Sequence, residues 1–277
     1  MFEYAFMRTA FLVGILLATI IPLLGSVLVF KRLSMIGDSL SHTALAGVAI
    51  GLIAGYNPLF SAIVMTILAT LFIEFMRKKF PKYSEISLAI VMSAGIGLSG
   101  LLSSLAPTNF NNYLFGSIVS ISSLEAYLAI GLVIAVVLFF AIFYRELMFI
   151  SYNESAAQLA GVPVRRVNFI LSILTAVLVA LASKIIGALI VSSIMVIPTA
   201  ISLLIAKSYK TTLLYAVLFS ILSMIIGLTT SFYAGLKPGG TITMTAISIL
   251  IIVIIVKEII TVINRRHKHM IEQEKTK

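Results

Sequence analysis

The sequence predicts an all-α fold, a polytopic transmembrane helical bundle of eight or nine spans, and three observations lead there. Hydrophobic residues make up 60% of the 277 residues and charged ones 11%, with a mean hydropathy of +1.14. No soluble core needs so much apolar sequence. The apolar residues are gathered into stretches about as long as a crossing of a hydrocarbon slab of roughly 30 Å. The basic residues collect between alternate stretches and on the C-terminal tail, the asymmetry that orients membrane proteins.

Nine stretches qualify: 9–30, 39–55, 58–76, 86–105, 124–144, 167–183, 185–206, 211–234 and 240–263. The first has no small-residue cleavage site and is followed by many others, so it reads as a span and not as a removable signal. The second is short and rich in small residues ("ALAGVAIGLIAG"), which is why the count stands at eight or nine. The third ends at the basic run Arg77, Lys78, Lys79, and the fourth carries "GIGLSG". Gly and Ala at such close spacing suit helices whose backbones approach one another. The fifth precedes a polar stretch, the sixth follows Arg165 and Arg166, and the seventh holds Pro198, a kink position. The eighth and ninth flank "KPGG". Hydrocarbon offers no water to backbone groups, so each span is expected to be helical. No repeat of fixed period is seen, and without cysteine there is no disulfide framework or thiolate metal site.

Placing the N-terminus outside brings the C-terminus inside after nine crossings. The inside segments then hold seventeen of the twenty basic residues, leaving only Arg8, Lys184 and Lys237 outside. The net charge of +10 is thereby accounted for as positive-inside bias and calls for no nucleic-acid partner. The expected division is a transmembrane domain over 1–264, with an inside loop at about 145–166, and a basic tail over 265–277 suited to anionic lipid head groups.

"IGDSLSHTALAGVAIG" holds Asp38, the only aspartate, and His42, the only histidine ahead of the tail. Four positions apart, they share one helix face. Two readings are open. Asp38 can be the N-cap of the second helix, with His42 a polar residue of its first turn. Alternatively the two act together, because ionisable residues at membrane depth mark function by default. A carboxylate oxygen and a neutral imidazole nitrogen suit a borderline divalent cation such as Zn²⁺ or Mn²⁺. Two ligands are too few for a structural zinc site but fit a pathway, where the ion must leave as well as enter. A proton relay uses the same pair. Catalysis is disfavoured, since there is no H-E-x-x-H and no nucleophile beside a base.

The inside loop reads "YRELMFISYNESAAQLAGVPVRRVNFIL": a polar lead-in, a short helix "ESAAQLA", Gly161 and Pro163 as its stop, then Arg165 and Arg166. It is either an ordinary interfacial helix or a docking helix for a cytoplasmic partner. Uphill transport would require that partner, because nothing here matches G-x-x-x-x-G-K-[ST]. On the other side, Asn109, Asn111 and Asn112 of "APTNFNNYLFGS" read as ordinary loop residues or as contacts for a delivery protein.

"KRLSMIGDSLSHTALAGVAIG", "AAQLAGVPVRRV", "KIIGALIVSSIMVIPTA" and "KPGGTI", in that order, resemble the membrane-spanning permease of bacterial zinc/manganese-type ABC importers. The likeness runs from about residue 10 to 260. It implies a permease homodimer with two cytoplasmic ATPase subunits, fed by an extracytoplasmic metal-binding protein. ATP hydrolysis then lies in the partner, and no cofactor is permanently bound. The family's D-x-x-x-H element falls on Asp38 and His42, the implied metal ligands. Its ATPase-contacting loop falls on Ala156 through Val167, the implied coupling residues being Ala156, Ala157, Leu159, Ala160, Gly161, Pro163, Arg165 and Arg166. "IIGALIVSSIMVIPTA" resembles zinc-uptake members more than manganese members, so Zn²⁺ is the expected cargo, with Mn²⁺ or iron as the alternative. A proton-coupled secondary metal carrier is the rival class, but it calls for further buried acids and inverted repeats. The sequence departs from the family in "PTAISLLIA" after Pro198, where many members carry "PAATA". Lys184 matches a basic residue of zinc-type members and is expected to snorkel to the interface.

Overall fold

The computed structural model describes residues 3–80, 83–106, 110, 116 and 121–275. Each of the nine expected spans coincides with a helix, and there is no strand among the described residues. The helices are α1 (Ala5–Phe30), α2 (Ile36–Ala54), α3 (Pro58–Lys79), α4 (Ser84–Ser103), α5 (Ser123–Tyr152), the short α6 (Glu154–Leu159), α7 (Val164–Ala182), α8 (Ala188–Ile205), α9 (Tyr209–Ala234) and α10 (Pro238–Lys275). Eight of them are long and apolar enough to cross a membrane, and α8 is a shorter apolar helix.

Local chemistry sets the ends. Asn57 caps α3, its side chain accepting from the Leu59 amide at 3.0 Å, with Pro58 in the first turn. Ser122 and Glu125 form a reciprocal capping box on α5, and Ser208 with Thr211 forms one on α9. Left-handed Gly55 and Gly235 close α2 and α9. The helix α5 overruns its expected end at 144 because it bends at Phe143 and continues to Tyr152, so the expected inside loop contracts to residues 153–163. The helix α8 stays continuous through Pro198.

Lipid tails are as apolar as leucine, so hydrophobicity does not drive helix against helix here; close packing does. The centre of the bundle is α1, whose Leu17, Ile20, Ile21 and Leu24 are wholly buried. Helix α2 is held between α3, α4 and α8. The approaches are backbone to backbone: a Cβ on Gly47 would lie 2.7 Å from the Ala62 Cα, and one on Gly227 2.5 Å from the Ile242 Cα. Ser26 and Thr199, both buried, join α1 to α8 at 3.2 Å.

Contacts across the bundle sort the connections onto two ends. Phe30, Tyr152 and Tyr209 cluster at one end, where Lys31 also meets Glu154. At the other, Tyr4 stacks near Phe232 and Lys184 meets Glu125. Between α7 and α8 the chain turns directly, through one π-helical turn (Ser183–Gly187) and a Gly187 at φ 112°.

Candidate functional site

From Ile36 to Ala49, Asp38 and His42 are the two residues of α2 that are not buried. A one-turn spacing puts both on the same face, and every other side of this stretch is packed. Gly37 lies against Ser192 and Met195 of α8, while Gly95 of α4 lies against the backbone of His42 and Thr43. Gly95 falls near the middle of α4, which places His42 well inside the bundle. Ser39 donates to the Leu88 carbonyl at 2.9 Å, fixing the rotation of α2 that leaves the pair open.

The capping reading of Asp38 does not hold. Met35 occupies the cap position, no side chain caps α2, and Asp38 stands in the first turn. There it meets the positive end of the helix dipole, a favourable place for a carboxylate. No group of three or more His, Asp or Glu able to hold a metal occurs among the described residues. The arrangement is thus two donors of mixed type, side by side at depth on an accessible stripe. Chemically it can take up a partly hydrated divalent cation and release it.

The second expected site forms a compact feature at the end that carries Lys31. Asn153 caps α6, accepting from the Ala156 amide at 3.0 Å, and left-handed Gly161 (φ 82°) ends it. Ala156, Leu159, Ala160, Gly161, Pro163, Arg165 and Arg166 are all exposed, Leu159 at 91%. Ala157 differs: it is wholly buried and anchors α6 to the core. An exposed leucine on a short helix, followed in sequence by two exposed arginines, has the chemistry to enter a groove on a partner with an acidic rim. Asn109, Asn111 and Asn112 lie outside the described residues.

Two polar clusters escaped the sequence reading. Lys184, expected only to reach the interface, has a partner. Its ammonium is bonded to Glu125, a buried carboxylate (2% exposed) whose other oxygen accepts from the Ser122 amide. The capping signature "SSLE" was the one readable hint of where Glu125 sits. At the other end, the Lys31 ammonium reaches Asn168 Oδ1 at 2.7 Å and Glu154 at 3.3 Å, and Asn168 Nδ2 donates to Glu154 at 2.8 Å. Burial pushes the Lys31 ammonium below the usual lysine range, and the Glu154 carboxylate opposes that shift. Next to it, Glu74 accepts from Ser172 at 3.0 Å and pairs with Arg77 at 3.2 Å. Lys31 and Asn168, and likewise Glu74 and Ser172, are too far apart in sequence to leave a local signature.

Residues 3–257 match the family described as the ABC 3 transport family. The chain is 34% identical over 261 residues to a "Probable metal transport system membrane protein" of Treponema pallidum, covering 94% of this chain and 98% of that one. It is 32% identical to the "High-affinity zinc uptake system membrane protein ZnuB" of Haemophilus influenzae, covering 88% and 94%. A "Manganese import system permease protein ScaB" of Streptococcus gordonii is 27% identical, with 90% and 91% covered. Among solved structures, PsaBC from Streptococcus pneumoniae in complex with Fab superposes with a TM-score of 0.80 at 24% identity, covering 91% of each chain.

Proposed function

This chain belongs to the ABC 3 transport family, and from that premise we propose that it is the permease of an ATP-driven importer whose cargo is Zn²⁺. That it is a metal-transport permease, crossing the cytoplasmic membrane several times, follows from its relatives and its eight long apolar helices. The choice of zinc is our reading. It is supported by the phrase "IIGALIVSSIMVIPTA" and by the 32% identity to one zinc-system protein, although identities to a second zinc-system protein and to two manganese ones fall together at 27–28%. The donors themselves serve either ion, so Mn²⁺ is the second reading.

One observation carries the mechanism: Asp38 and His42 are the accessible residues on an otherwise buried stretch of α2. A divalent ion entering the bundle loses hydration, and an anionic oxygen and an imidazole nitrogen offset that loss. With only two donors from this chain, the ion is passed on and not trapped. We take the end that holds Lys31, Arg77 and α6 to be cytoplasmic, which puts the N-terminus outside and the C-terminus inside, as the basic residues require. On this reading Leu159, Arg165 and Arg166 meet the cytoplasmic ATPase. The opposite end, with Lys184 and Glu125, receives metal from an extracytoplasmic binding protein. The working unit is a homodimer with two ATPase subunits, and residues 265–277 form a basic cytoplasmic tail to the 1–264 membrane domain.

The test is uptake of radioactive zinc by cells producing the whole transporter, with manganese as competitor. Asp38→Asn keeps side-chain shape and removes the charge, and His42→Ala removes the nitrogen. Both are expected to assemble with the ATPase and lose uptake, and near-normal transport by Asp38→Asn would overturn the ligand assignment. Uptake of manganese alone would move the cargo to Mn²⁺.

A further inference from the structure

The cluster of Lys31, Glu154 and Asn168 joins three elements, α1, α6 and α7. Lys31 caps the C-terminal end of α1, Glu154 is the first residue of α6, and Asn168 lies one turn into α7. The three side chains bond one another in a closed ring at 2.7, 2.8 and 3.3 Å. The side chain of Lys31 is 4% exposed and Asn168 is 7% exposed, while Glu154 is 42% exposed. A lysine so enclosed is expensive, and an apolar residue of similar volume would serve the packing equally well or better. The arrangement therefore calls for a use other than stability.

Its position supplies one. Of the six residues of α6, Ala157 is buried and Glu154 is bonded through this ring, and these two hold the helix to the body of the protein. On the other side, Lys31 begins a turn that has no slack. Its amide donates to Val27, the Arg32 amide to Val29, the Leu33 amide to Leu28 at 2.8 Å, and the Ile36 amide to Leu33 at 3.0 Å. Arg32 holds a left-handed φ of 58°, a conformation a non-glycine residue keeps only where its surroundings enforce it. Two residues beyond Ile36 stands Asp38. A displacement of α6 thus reaches the start of α2 through one ion pair and one rigid corner. Ser172, one turn beyond Asn168, extends the connection to Glu74 and Arg77 of α3.

We propose that the Lys31–Glu154–Asn168 ring is the joint that transmits motion of α6 to α2 and so moves Asp38 and His42 between their accepting and releasing positions. The three are positioning residues: none touches metal. The inference rests on the reading of α6 as the ATPase-contacting helix.

The test uses the complete transporter in proteoliposomes, with ATP hydrolysis and zinc uptake measured on the same sample. Lys31→Met and Glu154→Gln are each expected to bind the ATPase and hydrolyse ATP at close to the wild-type rate. Zinc imported per ATP should fall about fivefold or more, the range of a typical coupling free energy. The swap Lys31→Glu with Glu154→Lys should restore much of that ratio, because the Asn168 amide can turn over and serve the reversed pair. A ring that only stabilised the fold would lower the yield of protein and leave the ratio alone. An unchanged ratio in both single variants, or a swap no better than either, overturns the joint. Should Lys31→Met fail to assemble, the half-exposed Glu154→Gln carries the test by itself. A wild-type complex that hydrolyses ATP but imports neither zinc nor manganese overturns the importer reading, and the joint with it.

Discussion

Adding one methyl group at Gly95 is expected to force α4 away from α2 at the level of His42. A Cβ there would lie 2.8 Å from the Thr43 nitrogen and 2.9 Å from the His42 carbonyl carbon, whereas ordinary contact begins at 3.4 Å. The gap must therefore open by about 0.6 Å, and both obstructing atoms are backbone with no rotamer to yield. Overpacking of this kind costs roughly 1–3 kcal/mol. The intrinsic helical preference of alanine over glycine returns about 0.5–1 kcal/mol of that. At roughly 2–4 °C per kcal/mol for a chain of this size class, Gly95→Ala should melt a few degrees below the wild type. Gly131→Ala provides the opposite sign. Nothing lies within 4 Å of the place its methyl would take on α5, so the alanine preference acts unopposed and the melting temperature should hold or rise. The chain has no tryptophan, so the assay is circular dichroism at the helical band, in detergent and at a fixed scan rate. A Gly95→Ala protein as stable as Gly131→Ala would refute the close approach of α4 to α2, and with it the account of how the pair is held.

Two further outcomes are expected. Glu125→Gln leaves the Lys184 ammonium without its anion, and because the lysine side chain is 23% exposed the loss should be roughly 2–3 kcal/mol, below the 3–5 of a fully enclosed pair. Combining it with Lys184→Met should recover at least half of that in a double-mutant cycle read by thermal unfolding. For orientation, a cysteine at Tyr56 should react with an impermeant maleimide in intact cells and one at Phe80 should not, since both positions are well exposed and lie at opposite ends of α3; the reverse pattern would invert the bundle.

The helices were legible because their cause is local. Apolar length, which placed them, lies within each segment itself, and the caps the structure adds, Asn57 before Pro58 and the glycines after α2 and α9, are local as well though they were not used to set the boundaries. The short second span, doubtful by length, proved to be a full helix of 19 residues, because its small residues pack against α3 and α4 more closely than large ones would allow. Asp38 and His42 were singled out as candidates by scarcity and spacing, but their accessibility was not legible, since it depends on how α2 is rotated by Ser39 and the flanking glycines. The partners of Lys184 and Lys31 were illegible for a related reason. Glu125 and Lys184 are 59 residues apart, and Lys31 and Asn168 137 apart, so only the assembled bundle brings them together. The inward turn of Ala157 is likewise a matter of how α6 docks, which its six-residue sequence does not record.

Any side chain heavier than hydrogen at residue 116, 187 or 239 would collide with the chain's own backbone or strain it. A Cβ at Gly116 would come within 2.4 Å of the Ile186 oxygen and one at Gly239 within 2.6 Å, while Gly187 holds φ 112° between them. Three segments distant in sequence thus share one peptide group as a common floor. A substitution at one of them cannot be rescued by shrinking a neighbour, because the neighbour is already main chain. Replacing any one of the three therefore disturbs the same corner. Divergence that refits this face of the protein to a new partner must then accumulate in side chains around the corner, leaving the corner itself as the fixed point about which the face can vary.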